Sequence, residues 1–422
     1  MPASSNASSS ASAEHAVGGH DRFPGWWVVV GCFTVLTVSS GLGFYGLAVY
    51  LNAFSKERDW PLSTISLATT VFFVVGGFVG VWVARWIARY DVRVVIVGGG
   101  VVGGLALGVL GQVEQQWQLF VVYGVFAAGW AAAGLVPATT VVTRWFHAKR
   151  SVALSVASTG LSVGGIVITP FAKQLLDSQG LAAGTPWLGA LFVVGIVPVA
   201  WLLVRADPEA EGWAPDGIRR EVGEVPPPPS GTPFADAVRT RFFIAVTVGF
   251  LLALGAQVGG IQQLVKLVED RTDERTAQFA LTAIAGTSVV ARLIGGRVVQ
   301  RVPMMRLTVG LVGAQAIALA VIGVAQVTWL LFAAIVLFGA TIGNVLMLQP
   351  LVIAERFGVR DYPRLFSRTQ LVAVIGTAGG PLLLGALYDV FGSYRVPYAV
   401  AASCSLAGAL VLSLGGPATV DR

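Results

Sequence analysis

The sequence predicts an all-α integral membrane protein in which twelve transmembrane helices form two parallel-repeat six-helix bundles. Apolar residues make up 55% of the 422-residue chain and charged residues only 12%, whereas soluble domains carry about 25% charged residues. The mean hydropathy is +0.75. The apolar residues fall into twelve long segments, and landmarks in the two halves recur at an offset of 211 or 212 residues. A chain with so few charges has too little polar surface to face water.

The first element is a tail, 1–24, that is rich in Ser, Ala and Gly. It lacks the apolar core of a signal peptide and is predicted to be a disordered cytoplasmic tail. Each later apolar segment is close to the length of about 20 residues that crosses a bilayer. Lipid leaves only helices and closed barrels viable, and these segments are too long and too apolar for barrel strands. The twelve predicted helices are 26–51, 62–84, 94–112, 118–142, 151–175, 186–204, 242–266, 277–298, 307–325, 328–353, 367–388 and 396–416.

One long interruption, 205–241, divides the twelve segments into six and six. It contains several charges and the proline run 226–229, a composition typical of a semi-rigid linker. We therefore predict an N-terminal bundle at 25–204, a cytoplasmic linker at 205–241 and a C-terminal bundle at 242–416. The remaining residues, 417–422, are predicted to form a cytoplasmic tail.

The placement of Lys and Arg predicts the orientation of the chain. With the N-terminus in the cytoplasm, 20 of the 28 basic residues fall on the cytoplasmic side and 5 on the outer side. Cytoplasmic loops carry this excess in membrane proteins, so both termini are predicted to be cytoplasmic, in the cell inner (plasma) membrane. The net charge of +6 is spread over short loops between apolar segments, so we predict no nucleic-acid partner. The apolar segments themselves predict contact with the lipid bilayer.

The two halves are predicted to be repeats of the same orientation. One offset relates three landmarks, each at the end of a predicted helix. They are Arg89 and Arg301, Phe146 and Phe357, and Asp177 and Asp389. Repeats of equal orientation are related by an axis along the membrane normal.

The most informative candidate site residue is Arg292, deep inside the segment 277–298. A guanidinium at a helix centre costs roughly 3 kcal/mol on insertion scales, and such residues usually line a polar cavity or bind a ligand. Four residues earlier, where an acid could pair with it, stands Ser288. The repeat offset maps Arg292 onto Gly80, so the architecture does not require the charge. Arg292 is thus predicted to hold a carboxylate. The alternative is a guanidinium that snorkels or bonds helix carbonyls.

Further polar residues in the apolar segments are candidate substrate contacts: Tyr45, Gln257, Gln262, Asn344, Gln349 and Lys266. Tyr45 and Gln257 correspond by the repeat offset, and both stand among glycines, which permit bending and close approach. The alternative for these residues is ordinary helix packing. For Lys266 it is an interfacial lysine paired with Glu269 or Asp270.

Catalytic and metal-binding patterns are missing from the sequence. No grouping of Ser, His and Asp occurs, and Cys32 and Cys404 each lie inside an apolar segment. They indicate neither a disulfide framework nor a metal site. We expect no enzymatic activity, no cofactor and no metal.

Two loop motifs resemble the signature G-x-x-x-D-R-x-G-x-R of the major facilitator superfamily. The first, 84–93 (ARWIARYDVR), retains Arg89 and Arg93 but has Ala88 in place of the acid. The second, 296–301 (GRVVQR), retains Arg301 and has Gln300 in that place. The resemblance implies the twelve-helix fold and a gating role for these arginines.

Within that superfamily, three segments resemble the monocarboxylate porter and oxalate–formate antiporter group. They are 25–29 (GWWVV), 143–154 (TRWFHAKRSVAL) with Arg144 and Arg150, and 291–296 (ARLIGG) with Arg292. This resemblance implies that Arg292 binds the substrate. The uncompensated charge of Arg292 predicts a carrier of small organic anions, with monocarboxylates favoured, and the two repeats predict alternating access between the bundles. We expect the carrier to function as a monomer. Two alternatives remain open: an efflux carrier for hydrophobic or cationic compounds, and a non-transporting membrane sensor. No acid stands clearly inside a predicted helix, which favours anion exchange or facilitated transport over proton symport.

Overall fold

The computed structural model describes residues 23–218 and 230–416. The predicted tails lie outside the described residues, except for Phe23 and Pro24, and so do the residues 219–229 of the predicted linker. The described chain is helical, and its helices are α1 (Gly25–Arg58), α2 (Leu62–Ile87), α3 (Val92–Gln112), α4 (Gln116–Trp145), α5 and α6 (together Arg150–Leu203), α7 (Arg241–Arg271), α8 (Glu274–Val298), α9 (Met304–Val324), α10 (Thr328–Phe357), α11 (Tyr362–Phe391) and α12 (Arg395–Leu414). The predicted all-helical fold is confirmed.

Ten helices of the described chain are long and apolar enough to span a membrane. One of them is 54 residues long and contains both α5 and α6. The helix α8, which is 25 residues long and carries Arg292, is not among these ten. Twelve spans therefore result from the ten helices, the division of the longest one and the addition of α8.

Gly180 separates α5 from α6. Its φ of 77° and ψ of 173° lie outside the helical region, in a part of backbone space that glycine enters without steric cost. The next amide, Leu181 N, donates to both carboxylate oxygens of Glu57 at 3.0 Å, and an acid at a helix N-terminus is stabilising. The gap predicted between 175 and 186 is thus a break at a single residue.

The helix pairs of the second half repeat those of the first. In the first half α1 packs on α5, α3 on α6 and α2 on α4. In the second half α7 packs on α11, α9 on α12 and α8 on α10. The two most extensive contacts between the halves pair α5 with α8 and α2 with α11, and each combines a second helix with a fifth helix. This pattern is that of two parallel repeats related by a twofold axis along the membrane normal.

Glycine lets neighbouring helices touch backbone to backbone. A Cβ atom placed on Gly129 of α4 would lie 2.3 Å from the backbone nitrogen of Gly103 in α3. Small residues at such crossings are the usual means of close packing between helices in lipid.

Both described flanks of the predicted linker dock on the same face of the molecule, here called the linker side. The carboxylate of Asp216 accepts hydrogen bonds from three backbone amides of the α4–α5 loop, His147 at 3.1 Å, Ala148 at 2.7 Å and Lys149 at 3.2 Å. On the other flank, Thr232 N donates to the carbonyl oxygen of Phe357 at 2.9 Å. Phe357 corresponds to Phe146 by the repeat offset, so the two flanks bind equivalent loops of the two halves. The boundaries predicted for the domains stay predictions.

Candidate functional site

A cavity of about 1090 Å³ lies between the two bundles. Residues near the helix ends opposite the linker side line its mouth, among them Asn52 and Asp177. Ser288 and Arg292 of α8 line its deep end. The cavity therefore runs from the middle of the bundles to the face opposite the linker.

Arg292 is fully buried, with 0% exposure, at this deep end. Its Nε donates to the carbonyl oxygen of Gly343 in α10 at 2.8 Å, and its Nη1 donates to the carbonyl oxygen of Ser158 in α5. Its Nη2 has no hydrogen-bond partner. A guanidinium offers five N–H donors, so part of this one bonds helix carbonyls while Nη2 remains unpaired beside the cavity. The bonds to helix carbonyls match the alternative considered from the sequence, and the unpaired Nη2 matches the predicted role in holding a carboxylate.

The absence of a side chain at Gly343 allows α10 to lie against α8 at this level. A Cβ atom on Gly343 would come within 2.1 Å of the carbonyl oxygen of Ser288 and 3.0 Å of its Oγ. The same close approach brings the Gly343 carbonyl to Arg292 Nε. Ser288 is 2% exposed, and its Oγ has no hydrogen-bond partner.

The acidic groups among the described cavity-lining residues are Glu57 and Asp177, both at the mouth. Glu57 caps α6 through Leu181, and Asp177 forms an ion pair with Lys173 four residues earlier. No carboxylate of the described lining reaches the deep end. The charge of Arg292 is therefore uncompensated there, and a low dielectric strengthens its attraction for an anion.

Tyr45 lines the cavity, is 40% exposed and lies close enough to Arg292 to interact with it electrostatically. It directly follows a π-helical turn, Ser40–Phe44, that faces a second π-helical turn, Gly164–Ile168, in α5. Thr169 Oγ1 joins the two turns by a hydrogen bond of 3.0 Å to the carbonyl oxygen of Gly41. Such turns are rare and occur frequently at functional sites.

The remaining predicted contacts divide between the cavity and the protein interior. Gln262 of α7 lines the cavity. Gln257 is 2% exposed and lies outside the lining, although its Oε1 is unpaired. Lys266 is exposed, also outside the lining, and no ion pair joins it to Glu269 or Asp270 in the described chain.

Asn344 and Gln349 of α10 are buried and do not line the cavity in this conformation. Asn344 Nδ2 donates to the carbonyl oxygens of Ala291 at 3.0 Å and Ala340 at 2.9 Å, which ties α10 to α8 next to Arg292. Gln257, Asn344, Gln349 and Lys266 were candidate substrate contacts, and this conformation does not place them in the cavity lining. Their role as substrate contacts stays a prediction.

Hydrogen bonds between α5 and α8 close the cavity on the linker side. Ser151 Oγ donates to the carbonyl oxygen of Gly296 at 2.8 Å, and Ser155 Oγ donates to the carbonyl oxygen of Arg292. Ser151 and Ser155 are four residues apart, and so are Arg292 and Gly296. The bonds therefore join one face of α5 to one face of α8. Near these bonds, Arg150 Nη1 lies 4.0 Å from a carboxylate oxygen of Glu355 in the other half.

The other motif arginines lie at the surface of the linker side. Arg93 forms an ion pair of 3.0 Å with Asp91 inside its own loop, and Arg144 forms one of 3.2 Å with Asp207. Arg89 and Arg301 are exposed. Gating roles for these residues and for Arg150 stay predictions.

Comparison with known proteins identifies the family. The sequence profile of the Major Facilitator Superfamily matches residues 33–271 and 246–421. The chain belongs to the Major Facilitator Superfamily. Its members are membrane transporters, so the expectation that the chain is not an enzyme is confirmed.

Relatives and solved structures agree with this family. The chain is 25% identical to the MFS transporter asaE of Aspergillus flavus, over 87% of this chain and 81% of that protein. It is 24% identical to monocarboxylate transporter 13 of Rattus norvegicus, over 92% of this chain and 88% of that protein. The resemblance to monocarboxylate transporters is thereby confirmed. A structure of the superfamily transporter FucP in the outward conformation superposes with a TM-score of 0.73 at 14% identity, covering 93% of this chain and 99% of that one.

Several features of the site were not foreseen from the sequence. Ser288 was noted only because it is not an acid, and its unpaired hydroxyl depends on the packing of α10 at Gly343. The contacts of Arg292 with Ser155 and Ser158 join residues more than 130 positions apart. The four-residue spacing of Ser151 and Ser155 within an apolar helix is the signal that could have pointed to this interface.

Proposed function

We propose that this transporter moves small organic anions, with monocarboxylates favoured, by alternating access, and that Arg292 binds the carboxylate. The observation that carries the proposal is the unpaired Nη2 of Arg292 at the deep end of the cavity, where the described lining provides no acid. A buried donor without a partner costs about 1–3 kcal/mol, and more when it is charged. A bound carboxylate would remove that cost through a charge-assisted hydrogen bond.

The similarity to a protein named monocarboxylate transporter 13 supports the same substrate class. Because Arg292 has no exposure in this conformation, binding requires a local movement, for which Tyr45 and its π-helical turn are suited. We further propose that the cavity faces the cell exterior here, that both termini are cytoplasmic in the plasma membrane and that the monomer is the working unit. The orientation is supported by the distribution of Lys and Arg.

Efflux of hydrophobic or cationic compounds is the competing function. Apolar residues such as Leu47, Phe73 and Ile261 line much of the cavity, which suits a neutral hydrophobic substrate. A cation would meet the uncompensated charge of Arg292 without a nearby acid to offset it.

Transport by purified protein in proteoliposomes tests the proposal. We expect saturable uptake of radiolabelled lactate that pyruvate inhibits and tetraphenylphosphonium does not. The Arg306→Gln variant, which removes an exposed arginine of the linker side, serves as the matched control for Arg292→Gln and should retain wild-type uptake. Saturable transport of the cation, with no carboxylate able to compete, would reject the proposal.

A further inference from the structure

The hydroxyl of Ser288 differs from the other buried Ser and Thr hydroxyls of the described chain. Among the unpaired, fully buried polar side-chain atoms of the described chain, Ser288 Oγ is the one that belongs to a serine or threonine. Several buried hydroxyls bond a carbonyl oxygen one turn earlier, as Thr159 does to Ser155 at 2.8 Å and Thr341 does to Phe338 at 2.7 Å, and others, such as those of Ser151 and Ser155, bond a carbonyl oxygen of another helix. This local bond is the usual way for a helical serine or threonine to satisfy its hydroxyl. Its absence at Ser288 leaves a donor and an acceptor available for a ligand.

The position of Ser288 places that hydroxyl beside the proposed carboxylate site. Residues four apart on a helix lie on the same face, with Cβ atoms about 5–6 Å apart, and Ser288 and Arg292 both line the deep end of the cavity. Gly343 packs against both residues and limits their freedom to move. Arg292 Nη2 and Ser288 Oγ are therefore two unpaired groups on one face of α8, beside the same cavity.

We propose that Ser288 is a specificity-determining residue that hydrogen-bonds an oxygen on the carbon next to the substrate carboxylate. The inference rests on the proposed function, because it takes the carboxylate to bind at Arg292. A hydroxyl both donates and accepts, so Ser288 suits a 2-hydroxy acid and a 2-oxo acid alike. A site built to bond a substrate oxygen discriminates against the analogue that lacks it, since its own polar group then stays unpaired.

The test compares lactate with propionate, which has the same carbon skeleton without the 2-hydroxyl group. Each acid competes against labelled pyruvate in proteoliposomes, and the ratio of their inhibition constants is measured. In the wild type, lactate should bind more tightly than propionate by roughly 10-fold, the effect of one well-placed hydrogen bond. In Ser288→Ala the ratio should fall to near one, because lactate weakens while propionate changes less than about twofold.

Thr377→Val is the matched control. Thr377 lines the same cavity, but its Oγ1 already bonds the carbonyl oxygen of Val374 at 3.2 Å. Its loss should leave the lactate-to-propionate ratio at the wild-type value. Ser288→Cys serves as a second variant of similar shape, with a weak donor in place of the hydroxyl, and should lower the ratio in the same direction.

The outcomes separate this inference from the proposed function. A Ser288→Ala protein with an unchanged ratio, or with equal losses for both acids, overturns the role of Ser288. If Arg292→Gln leaves inhibition by both acids intact, the proposed function itself fails. If Arg292→Gln weakens both acids while the Ser288 variants keep the wild-type ratio, only the inference about Ser288 fails.

Discussion

The Ser155 hydroxyl of α5 donates to the carbonyl oxygen of Arg292 in α8, across the boundary between the two halves. One turn further along α5, the carbonyl oxygen of Ser158 accepts from the side chain of Arg292. Arg292 is thus held to the opposite half by its backbone and by its side chain. The residue proposed to bind the substrate is also part of the contact that closes the linker side, so binding and opening involve the same residue.

Ser155→Ala should favour opening of the linker side. Loss of one hydrogen bond between the halves, about 1 kcal/mol, should raise the open fraction roughly fivefold. The measurement is the alkylation rate of Ser151→Cys, in a chain whose two native cysteines are replaced by alanine. Thr159→Val is the control, because Thr159 bonds only within α5. Equal alkylation rates in the Ser155→Ala and Thr159→Val backgrounds would contradict the role of Ser155.

Gly343→Ala should destabilise the protein and impair transport. The added Cβ would lie 2.1 Å from the Ser288 carbonyl oxygen, so α8 and α10 must separate, and overpacking of this kind typically costs about 1–3 kcal/mol. Gly310→Ala in α9 is the control, since a Cβ there meets nothing within 4 Å. Thermal unfolding in detergent should show a lower midpoint for Gly343→Ala alone. Equal midpoints for the two variants would show that the close approach at Gly343 is not required.

Asp216→Asn should loosen the attachment of the linker to the α4–α5 loop. Asp216 has a φ of 66°, a conformation that asparagine tolerates as well as aspartate, so the substitution isolates the carboxylate charge. Amide bonds to a charged acceptor contribute about 1.5–3 kcal/mol. Hydrogen exchange at residues 147–149 should therefore accelerate, while exchange at the Phe357 end of the linker stays at its wild-type rate. Unchanged protection of 147–149 would show that Asp216 does not anchor the loop.

A proton gradient should not drive accumulation of the substrate. The described cavity lining has no carboxylate at its deep end, and a proton symporter generally needs such a group. Imposing an inside-alkaline gradient should give no lactate accumulation beyond that of protein-free liposomes, whereas preloaded pyruvate should stimulate lactate entry by exchange. Gradient-driven accumulation that depends on the protein would contradict this coupling.

The sequence predicted the global architecture because that architecture follows from composition and periodicity. Lipid permits little besides helices, and the recurrence of landmarks such as Phe146 and Phe357 fixed the parallel repeat. Arg292 stood out because a charge inside a long apolar segment is costly. Gln262 and Tyr45 were selected as polar residues inside apolar segments, and both line the cavity.

Other features depend on contacts between helices that a single sequence does not encode locally. Whether a polar residue such as Gln257 or Asn344 faces a cavity or a neighbouring helix depends on the rotation of its helix, and an uncertainty of one residue turns it by about 100°. In α1 and α5, π-helical turns also change which way the residues that follow them face. The unpaired state of Ser288 arises only when Gly343 of another helix packs beside it.

The affinity of purified protein for a monocarboxylate, in wild type and in Arg292 variants, tests the central claim most directly. Pyruvate binding is measured by calorimetry for wild type, Arg292→Gln, Arg292→Lys and the control Arg306→Gln. Loss of the charge-assisted contact should cost about 2–3 kcal/mol, so Arg292→Gln should bind roughly 30- to 150-fold more weakly. Arg292→Lys should also be impaired, because lysine does not reproduce the guanidinium geometry. Wild-type affinity in Arg292→Gln would contradict the assignment of Arg292 as the carboxylate-binding residue.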